Sequence, residues 1–441
     1  MNIPVVAIVG RPNVGKSALF NRIIGEGHSA IVSPIAGTTR DRNFGRADWD
    51  GQPFWLVDTG GLVEDSNLPM DVEIRNQVKH AIEEADLLLL VVDAKAGLHP
   101  SDRRVVDLLR DSQKPWLLVA NKVDDPSTTD YYEFYELGAG EPLPVSATNG
   151  RQSGDLLEEI VKAIPMVEAD DAEALKVAVI GRPNVGKSSF VNRLLGEHRL
   201  VVSEIAGTTR DAIDTPFRYH GRDLVFIDTA GLRRQSKIDE GIEFYSSLRS
   251  RRAIDRSDIC ILMLDATQGL ENQDLKVAAL AWEEGRGLIV VVNKWDIREE
   301  KDDKSSAKFQ KEAGEKAPFL KFVPFLFTSA LTGQRVTKVL DVILKVDEER
   351  HKRVPTSQIN ETLQALTARL QPPQAAGREV KLNYATQVEK APPAIAIFGN
   401  NPDAVAEHYI RYLHNGFREA HGFFGNPLRI LLRSKSSPAA E

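Results

Sequence analysis

One cysteine, Cys260, stands in 441 residues, so no disulfide can form within the chain. A single thiol fits a reducing compartment. Its setting, Ile259-Cys260-Ile261-Leu262-Met263-Leu264, reads as a small core hydrophobe and not as a nucleophile. Long apolar runs are missing as well. The longest, such as residues 87–92, have the length of a buried strand and fall far short of the roughly 20 residues of a membrane helix. No leader is legible, because Asn2-Ile3-Pro4 runs straight into the strand-like residues 5–9. These absences exclude a disulfide scaffold and a membrane span; the expectation is a cytoplasmic monomer with no membrane or DNA contact. Extreme charge is absent too, the net being −7, but the balance is uneven. From His351 onward eleven Lys/Arg face seven Asp/Glu, a surplus of +4 that leaves −11 for residues 1–350. A basic terminal module behind an acidic body points weakly to an anionic partner.

Repetition is what the sequence does have. Gly10-Arg11-Pro12-Asn13-Val14-Gly15-Lys16-Ser17 recurs as Gly181-Arg182-Pro183-Asn184-Val185-Gly186-Lys187-Ser188, 171 residues on. Ala36-Gly37-Thr38-Thr39-Arg40-Asp41 recurs from Ala206 to Asp211, and Asp58-Thr59-Gly60-Gly61 as Asp228-Thr229-Ala230-Gly231, both 170 on. Asn121-Lys122-Val123-Asp124 becomes Asn293-Lys294-Trp295-Asp296 after 172. Four motifs in one order at nearly one offset mark a duplicated domain, not a solenoid of short repeats. Within the first copy, β-branched runs at 5–9, 54–57, 87–92 and 116–120 alternate with helical stretches such as 17–24 and 102–110. That alternation predicts α/β architecture: tandem doubly wound, mostly parallel sheets. The expected layout is residues 1–164 for the first copy, an acidic linker at 165–174, 175–350 for the second copy, and a small α+β module at 351–441. In that module the pattern predicts helices at 357–369 and 403–418, strands near 380–388, 394–398 and 428–432, and a sheet that leans antiparallel.

Gly-x4-Gly-Lys-Ser, placed after a strand and opening a helix, is the sequence of a phosphate-binding loop. Its glycines let backbone N–H groups curl around phosphates, aided by the helix dipole. Lys16 and Lys187 would reach the β- and γ-phosphates, and the hydroxyls of Ser17 and Ser188 would ligate Mg²⁺. Asp58 and Asp228 end strand-like runs, where a carboxylate meets a metal shell, and Gly61 and Gly231 can offer a backbone N–H to a γ-phosphate. The Asn-Lys-x-Asp motif selects the base. A carboxylate only accepts hydrogen bonds, so Asp124 and Asp296 suit the N1–H and amine of guanine and are left unpaired by adenine. Such mismatches discriminate by roughly 10⁴-fold or more. Ser146-Ala147 and Ser329-Ala330 would complete the pocket with backbone donors. GTP and GDP are the predicted ligands.

These motifs resemble those of translation-factor-class GTPases. The tandem copies with a terminal module resemble one family closely, Der (EngA), the double-domain GTPases of bacterial ribosome assembly. The likeness spans essentially the whole chain, including Asn383-Tyr384-Ala385-Thr386-Gln387 and Gly425-Asn426-Pro427-Leu428-Arg429-Ile430. It implies Mg²⁺-dependent GTP hydrolysis, a KH-like C-terminal domain, and association with the large (50S) ribosomal subunit and its rRNA during late maturation. By the same resemblance Thr39 and Thr209 join the Mg²⁺ shell. Leu62 and Leu232 stand where many small GTPases carry a water-positioning glutamine. The family's substitute is a potassium ion held partly by Asn13 and Asn184. The candidate catalytic residues are therefore Asn13, Lys16 and Thr39, then Asn184, Lys187 and Thr209; Arg11 and Arg182 are alternative sources of positive charge.

The terminal module departs from an RNA-binding KH domain, which clamps the nucleic-acid backbone with a Gly-x-x-Gly loop between adjacent helices. Here Gly422-Phe423-Phe424-Gly425 falls between the last helix and the last strand. It is expected to be a hairpin-like turn with buried aromatics, in a module that packs on a GTPase domain or meets the ribosome through scattered arginines. A basic cluster, Arg233, Arg234, Lys237, Arg249, Arg251, Arg252 and Arg256, reads either as a nucleotide-dependent contact or as a solvated helix face. Two rivals stand beside this reading. A tRNA-modification GTPase would need a substrate domain that no remaining segment supplies, and a non-hydrolysing scaffold would not need two intact motif sets.

Overall fold

Runs such as Leu87–Asp93 and Ile259–Asp265 are apolar on both faces of a strand, so they demand cover on both sides. Each copy meets that demand with a six-stranded sheet. The computed structural model describes residues 3–26, 44–59, 78–79, 81–83, 85–125, 127, 129–166, 174–196, 214–229, 243–297, 303–373 and 380–434. In the first copy β1 (Val5–Val9), β2 (Phe44–Trp49), β3 (Gln52–Asp58), β4 (Leu87–Asp93), β5 (Trp116–Asn121) and β6 (Leu143–Pro144) lie in the order β2-β3-β1-β4-β5-β6. The described helices there are α1 (Lys16–Glu26), α2 (Pro100–Ser112) and α3 (Ser153–Ala163). In the second copy β7 (Leu175–Ile180), β8 (Thr215–Tyr219), β9 (Arg222–Ile227), β10 (Ile259–Asp265), β11 (Gly287–Asn293) and β12 (Phe325–Phe327) repeat that order, β8-β9-β7-β10-β11-β12. Its described helices are α4 (Lys187–Leu195), α5 (Glu243–Arg256), α6 (Asn272–Glu283), α7 (Asp303–Lys316) and α8 (Lys338–His351).

In these two sheets the pairings are parallel except β2 with β3 and β8 with β9. Strands β3 and β9 fall on expected runs, whereas their partners β2 and β8 are additions to the expected set. Asp50-Gly51, with φ of 52° and 73°, closes the first hairpin, and His220-Gly221, with 46° and 78°, closes the second. Positive φ at both central residues is what the right-handed twist of the paired strands requires. Strand β10 is wholly buried, Cys260 included, as a core hydrophobe should be.

The third sheet, β13 (Leu382–Lys390), β14 (Pro393–Gly399) and β15 (Arg429–Ser434), is packed against α9 (Thr356–Arg369) and α10 (Glu407–His421) through Leu363, Ile395, Ile397, Leu413 and Phe417. The antiparallel expectation holds for β13 with β14, but β14 and β15 are parallel. A parallel pair needs a crossover, and α10 supplies it.

The chain divides into two compact units, Met1–Asp170 and Asp171–Glu441, so the terminal module shares a unit with the second copy. The turn 422–426 joins them. Gly425 O accepts from Leu288 N at 2.7 Å, and Gly425 N donates to Phe322 O at 2.9 Å. Buried Asn426 donates to Val346 O at 2.8 Å, and Phe423 N donates to Glu349 Oε2, also at 2.8 Å. Gly425 has φ 72°, and an added Cβ would press to 2.6 Å from Val346 Cγ2. Only Phe423 of the two aromatics is buried; Phe424 stays partly exposed beneath Lys345. Arg418 completes the joint. Its guanidinium lies over Phe322 and Trp282, 4.4 and 5.3 Å from the ring centres, and donates to the carbonyls of Phe423 and Asn426. Burial without a carboxylate partner pulls it down to about 10.

Two candidate nucleotide sites

In an open parallel sheet, loops at the carboxyl ends of the strands form the ligand crevice. The loop between β1 and α1 turns there, as does the loop between β7 and α4. A Cβ at Gly10 or Gly181 would stand 2.4 or 2.5 Å from the carbonyl oxygen of Val91 or Met263, so only glycine passes. Pro12, Asn13, Pro183 and Asn184 form the exposed crests, with both asparagines at positive φ, while Val14 and Val185 plug the loops into the cores. Lys16 and Lys187 are buried. Lys16 Nζ donates to Gly10 O and Arg11 O at 2.8 and 2.9 Å, and Lys187 Nζ to Gly181 O and Arg182 O at 2.7 and 2.6 Å.

The asparagine of Asn-Lys-x-Asp binds two loops at once. Asn121 Nδ2 donates to Val14 O at 2.9 Å, and its Oδ1 accepts from Ala147 N at 3.1 Å. Asn293 does the same with Val185 O and Ala330 N, both at 2.9 Å. A Cβ at Gly15 or Gly186 would lie 2.3 Å from that amide nitrogen, which explains the second invariant of the repeat. The motif's third residue is structural: Val123 and Trp295 are buried and donate their N–H groups to Val145 O and Thr328 O. Asp124 faces the Ser146-Ala147 turn, where its Oδ1 accepts from Ser146 Oγ at 2.6 Å. Ser329 is buried beside Ala330 in the matching turn of the second copy, and Asp296 is partly exposed.

Ser17 Oγ donates to Asp58 Oδ2 at 2.5 Å, bringing two hard oxygen donors together. Thr59 is anchored on Ile8 O at 2.7 Å, and Thr229 Oγ1 lies 2.7 Å from Thr215 Oγ1. Asp228 has φ 57°, and its N–H donates to Asp214, whose carboxylate pairs with Arg256. Among the described residues no group of three or more His, Cys, Asp or Glu could hold a metal. Thr39, Gly60, Gly61, Leu62, Thr209, Ala230, Gly231 and Leu232 lie outside the described residues, as do Arg233, Arg234 and Lys237.

The description "50S ribosome-binding GTPase" belongs to a family model that matches residues 5–122 and 176–294. A second model, "KH-domain-like of EngA bacterial GTPase enzymes, C-terminal", matches 353–433. The chain is 71% identical to the GTPase Der of Gemmatimonas aurantiaca, covering 99% of this chain and 100% of that protein. Its identity to the GTPase Der of Caldanaerobacter subterraneus is 49%, over 99% of each. The chain belongs to the Der family. It is a GTP-hydrolysing enzyme with tandem P-loop GTPase domains and a KH-like C-terminal domain.

Sequence reasoning missed the carboxylates of this Der-family enzyme, Asp93, Asp102, Asp265, Glu271 and Asp274, that receive the motif lysines and loop arginines. Lys122 Nζ donates to Asn13 O at 2.8 Å and to Asp93 Oδ2 at 2.5 Å; Lys294 Nζ donates to Asp265 Oδ2 at 2.7 Å. Burial pushes Asp93 and Asp265 upward, but these lysines and local N–H or hydroxyl donors outweigh it and leave both carboxyls below their ordinary range. Arg182 pairs with Asp274 at 3.0 Å and Glu271 at 2.8 Å, and Arg11 Nε lies 3.5 Å from buried Asp102. The signal was available: Asp93 and Asp265, like Asp102 and Asp274, are separated by the same 172 residues as the base motif. Of the basic cluster, Arg251 pairs with Glu284 at 2.6 Å and Arg256 with Asp214, so these two are committed within the domain.

Burial lowers Lys187 to about 8, against the pull of Asp274. The unfolded lysine titrates near 10.4, so between those values the unfolded chain binds more protons and stability rises with pH. Below about 8 the buried ammonium carries its full desolvation cost, and that cost is relieved as pH climbs towards 10.4. Without added nucleotide, raising the pH from 7.5 to 10 should stabilise the wild-type second unit by about 2–3 kcal/mol relative to Lys187→Met. Urea midpoints across that range measure the difference; parallel pH profiles would rule out a desolvated ammonium.

Proposed function

We propose that this enzyme binds a guanine nucleotide at each of two sites and uses the hydrolysis cycles to time a late step in maturation of the large ribosomal subunit. One observation carries the site assignment: in both copies a single carboxamide, Asn121 or Asn293, joins the lysine-bearing loop to the turn beside the acceptor-only carboxylate. That spacing suits a ligand with phosphates at one end and guanine at the other. In this reading the loop N–H groups and Lys16 or Lys187 bind phosphate, the lysine exchanging its loop carbonyls for phosphate oxygens. Asp124 and Asp296 read the guanine edge. The Ser17 and Asp58 oxygens fit Mg²⁺, with Thr39 completing the set; Ser188, Asp228 and Thr209 are their counterparts. Bound Mg²⁺ neutralises charge on the β- and γ-phosphates. Gly61 and Gly231 are assigned the backbone N–H offered to the γ-phosphate. We take the domains as 1–164, 175–350 and 351–441, joined by the acidic linker 165–174, in a cytoplasmic monomer.

Base selection is testable at the second site. Asp296→Asn should reverse the preference from GTP to xanthosine triphosphate, whose C2 oxygen suits an amide donor, a swing of roughly 10⁴-fold. Competition binding in a chain whose first site is silenced by Lys16→Ala measures it, and an unchanged GTP preference would remove Asp296 from the pocket.

Arg11 and Arg182, held by Asp102 and by Asp274 with Glu271, are turned to structural use. The charge at the transferring phosphate is therefore assigned to a potassium ion near Asn13 and Asn184, on the exposed loop crests. Potassium should accelerate hydrolysis at least tenfold over sodium at equal ionic strength, a fraction of the roughly 10³–10⁵ of an arginine finger. Asn13→Ala with Asn184→Ala should erase the difference. Equal rates in both salts would return the arginines to consideration.

The ribosomal partner is supported by the family description and by the basic terminal module. Because the Gly-x-x-Gly turn is spent on the second GTPase domain, rRNA contact is assigned to other faces of that module. The chain should sediment with large subunits in a non-hydrolysable GTP analogue and detach in GDP; sedimentation indifferent to nucleotide would refute the timing role.

A further inference from the structure

The two copies share their motif residues but differ beside the base-reading carboxylate. In the first, Lys95 stands two residues past β4, and its Nζ lies 2.5 Å from Asp124 Oδ2. The other oxygen, Oδ1, accepts from Ser146 Oγ at 2.6 Å and Asn149 Nδ2 at 3.4 Å, so the protein itself engages both. In the second copy the matching position is Thr267, 172 residues on. Its hydroxyl and N–H turn back to Asp265 Oδ1 at 2.6 and 2.8 Å. Among the described residues no ion pair reaches Asp296.

Given the guanine-reading role of Asp124, on which this inference rests, we infer that Lys95 is a displaceable cap that weakens the first site's hold on guanine nucleotides and sets the two sites apart. Both guanine and Lys95 would make charge-assisted hydrogen bonds to this carboxylate, but guanine's N1–H and amine are neutral donors, whereas the ammonium adds the Coulomb attraction of a full unit charge. With Lys95 in place the negative potential that would draw the guanine edge is already partly cancelled. Guanine must displace the lysine or share its oxygen, at a loss either way. The Lys95 and Ser146 donors also hold the Asp124 carboxyl below its ordinary range, in line with an anion stabilised before any ligand arrives. The lysine side chain is 64% exposed, so it can swing into solvent and return. Its return would speed nucleotide release. The exposure also bounds the effect: exposed pairs shift an equilibrium by about two- to fivefold. The second site has a hydroxyl there and, among the described residues, no such competitor.

The test uses the full chain with the second site silenced by Lys187→Ala, titrated with GDP and with xanthosine diphosphate. Lys95→Thr should tighten GDP about two- to fivefold and slow its dissociation, with the gain shrinking in 0.5 M salt as the pair is screened. In an Asp124→Asn background, which should prefer xanthosine diphosphate, the same Lys95→Thr change should bring no tightening, because no carboxylate remains to be capped. Any general attraction of Lys95 for phosphates would be lost equally in both backgrounds. Weaker or unchanged GDP binding in Lys95→Thr, or equal tightening in both backgrounds, would overturn the cap. An Asp124→Asn chain that still prefers GDP would instead overturn the base-pocket reading beneath it.

Discussion

Each GTPase domain depends on one buried carboxamide. Asn121 and Asn293 sit at the carboxyl ends of central strands, and each spends its N–H₂ on the phosphate loop and its oxygen on the turn after the next strand. Neither loop has a regular ladder to hold it, so the amide does the work of a strand pairing. Hydrogen bonds of this kind contribute about 1 kcal/mol each, and an orphaned buried partner costs up to about 3 kcal/mol. An isosteric carboxylate could not replace the amide, because it has no donor for the loop carbonyl. The glycine before each P-loop lysine is tied to the same amide, which passes it at a distance no side chain allows.

From that anchor the rest of each site follows. The lysine beside the asparagine leaves the strand at positive φ and reaches back over the domain, where Asp93 or Asp265 receives it. The loop arginine is drawn to the first turn of α2 or α6 by Asp102 or Asp274, which also caps that helix. Four charged groups in the first copy, and five in the second with Glu271, are thus spent on shape. The P-loop lysine is held differently, on two carbonyls of its own loop, and Ser17 on Asp58.

The duplicated chemistry was legible from residues alone, since phosphate loops and base motifs are local strings whose chemistry needs fixed spacing. The doubly wound sheets were legible for a related reason, because fully buried strands leave continuous apolar runs. The hairpins were not read, although Asp50-Gly51 is a strong turn signal; β2 and β8 carry mixed residues because one neighbour and one face suffice for an edge strand. The parallel pairing of β14 with β15 depends on where α10 returns the chain, which no local pattern encodes. Arg418 was invisible for the same reason. An arginine on an amphipathic helix reads as solvated, and only the joint reveals it pressed on two aromatic rings. Lys95 shows the converse failure, a difference between copies that is overlooked when repeats are searched for agreement.

The joint at Gly425 has a consequence for how the chain is made. Strand β11 is an inner strand of the second sheet, yet the N–H of Leu288 near its start finds its acceptor in the terminal module, which leaves the ribosome much later. During vectorial synthesis the first unit can close on itself as soon as its own residues have emerged. The second GTPase domain must wait with an unfinished seam, its Phe322 and Trp282 rings uncovered until Arg418 arrives. Synthesis therefore orders the two units in time, the first complete from its own residues while the second still awaits its final piece.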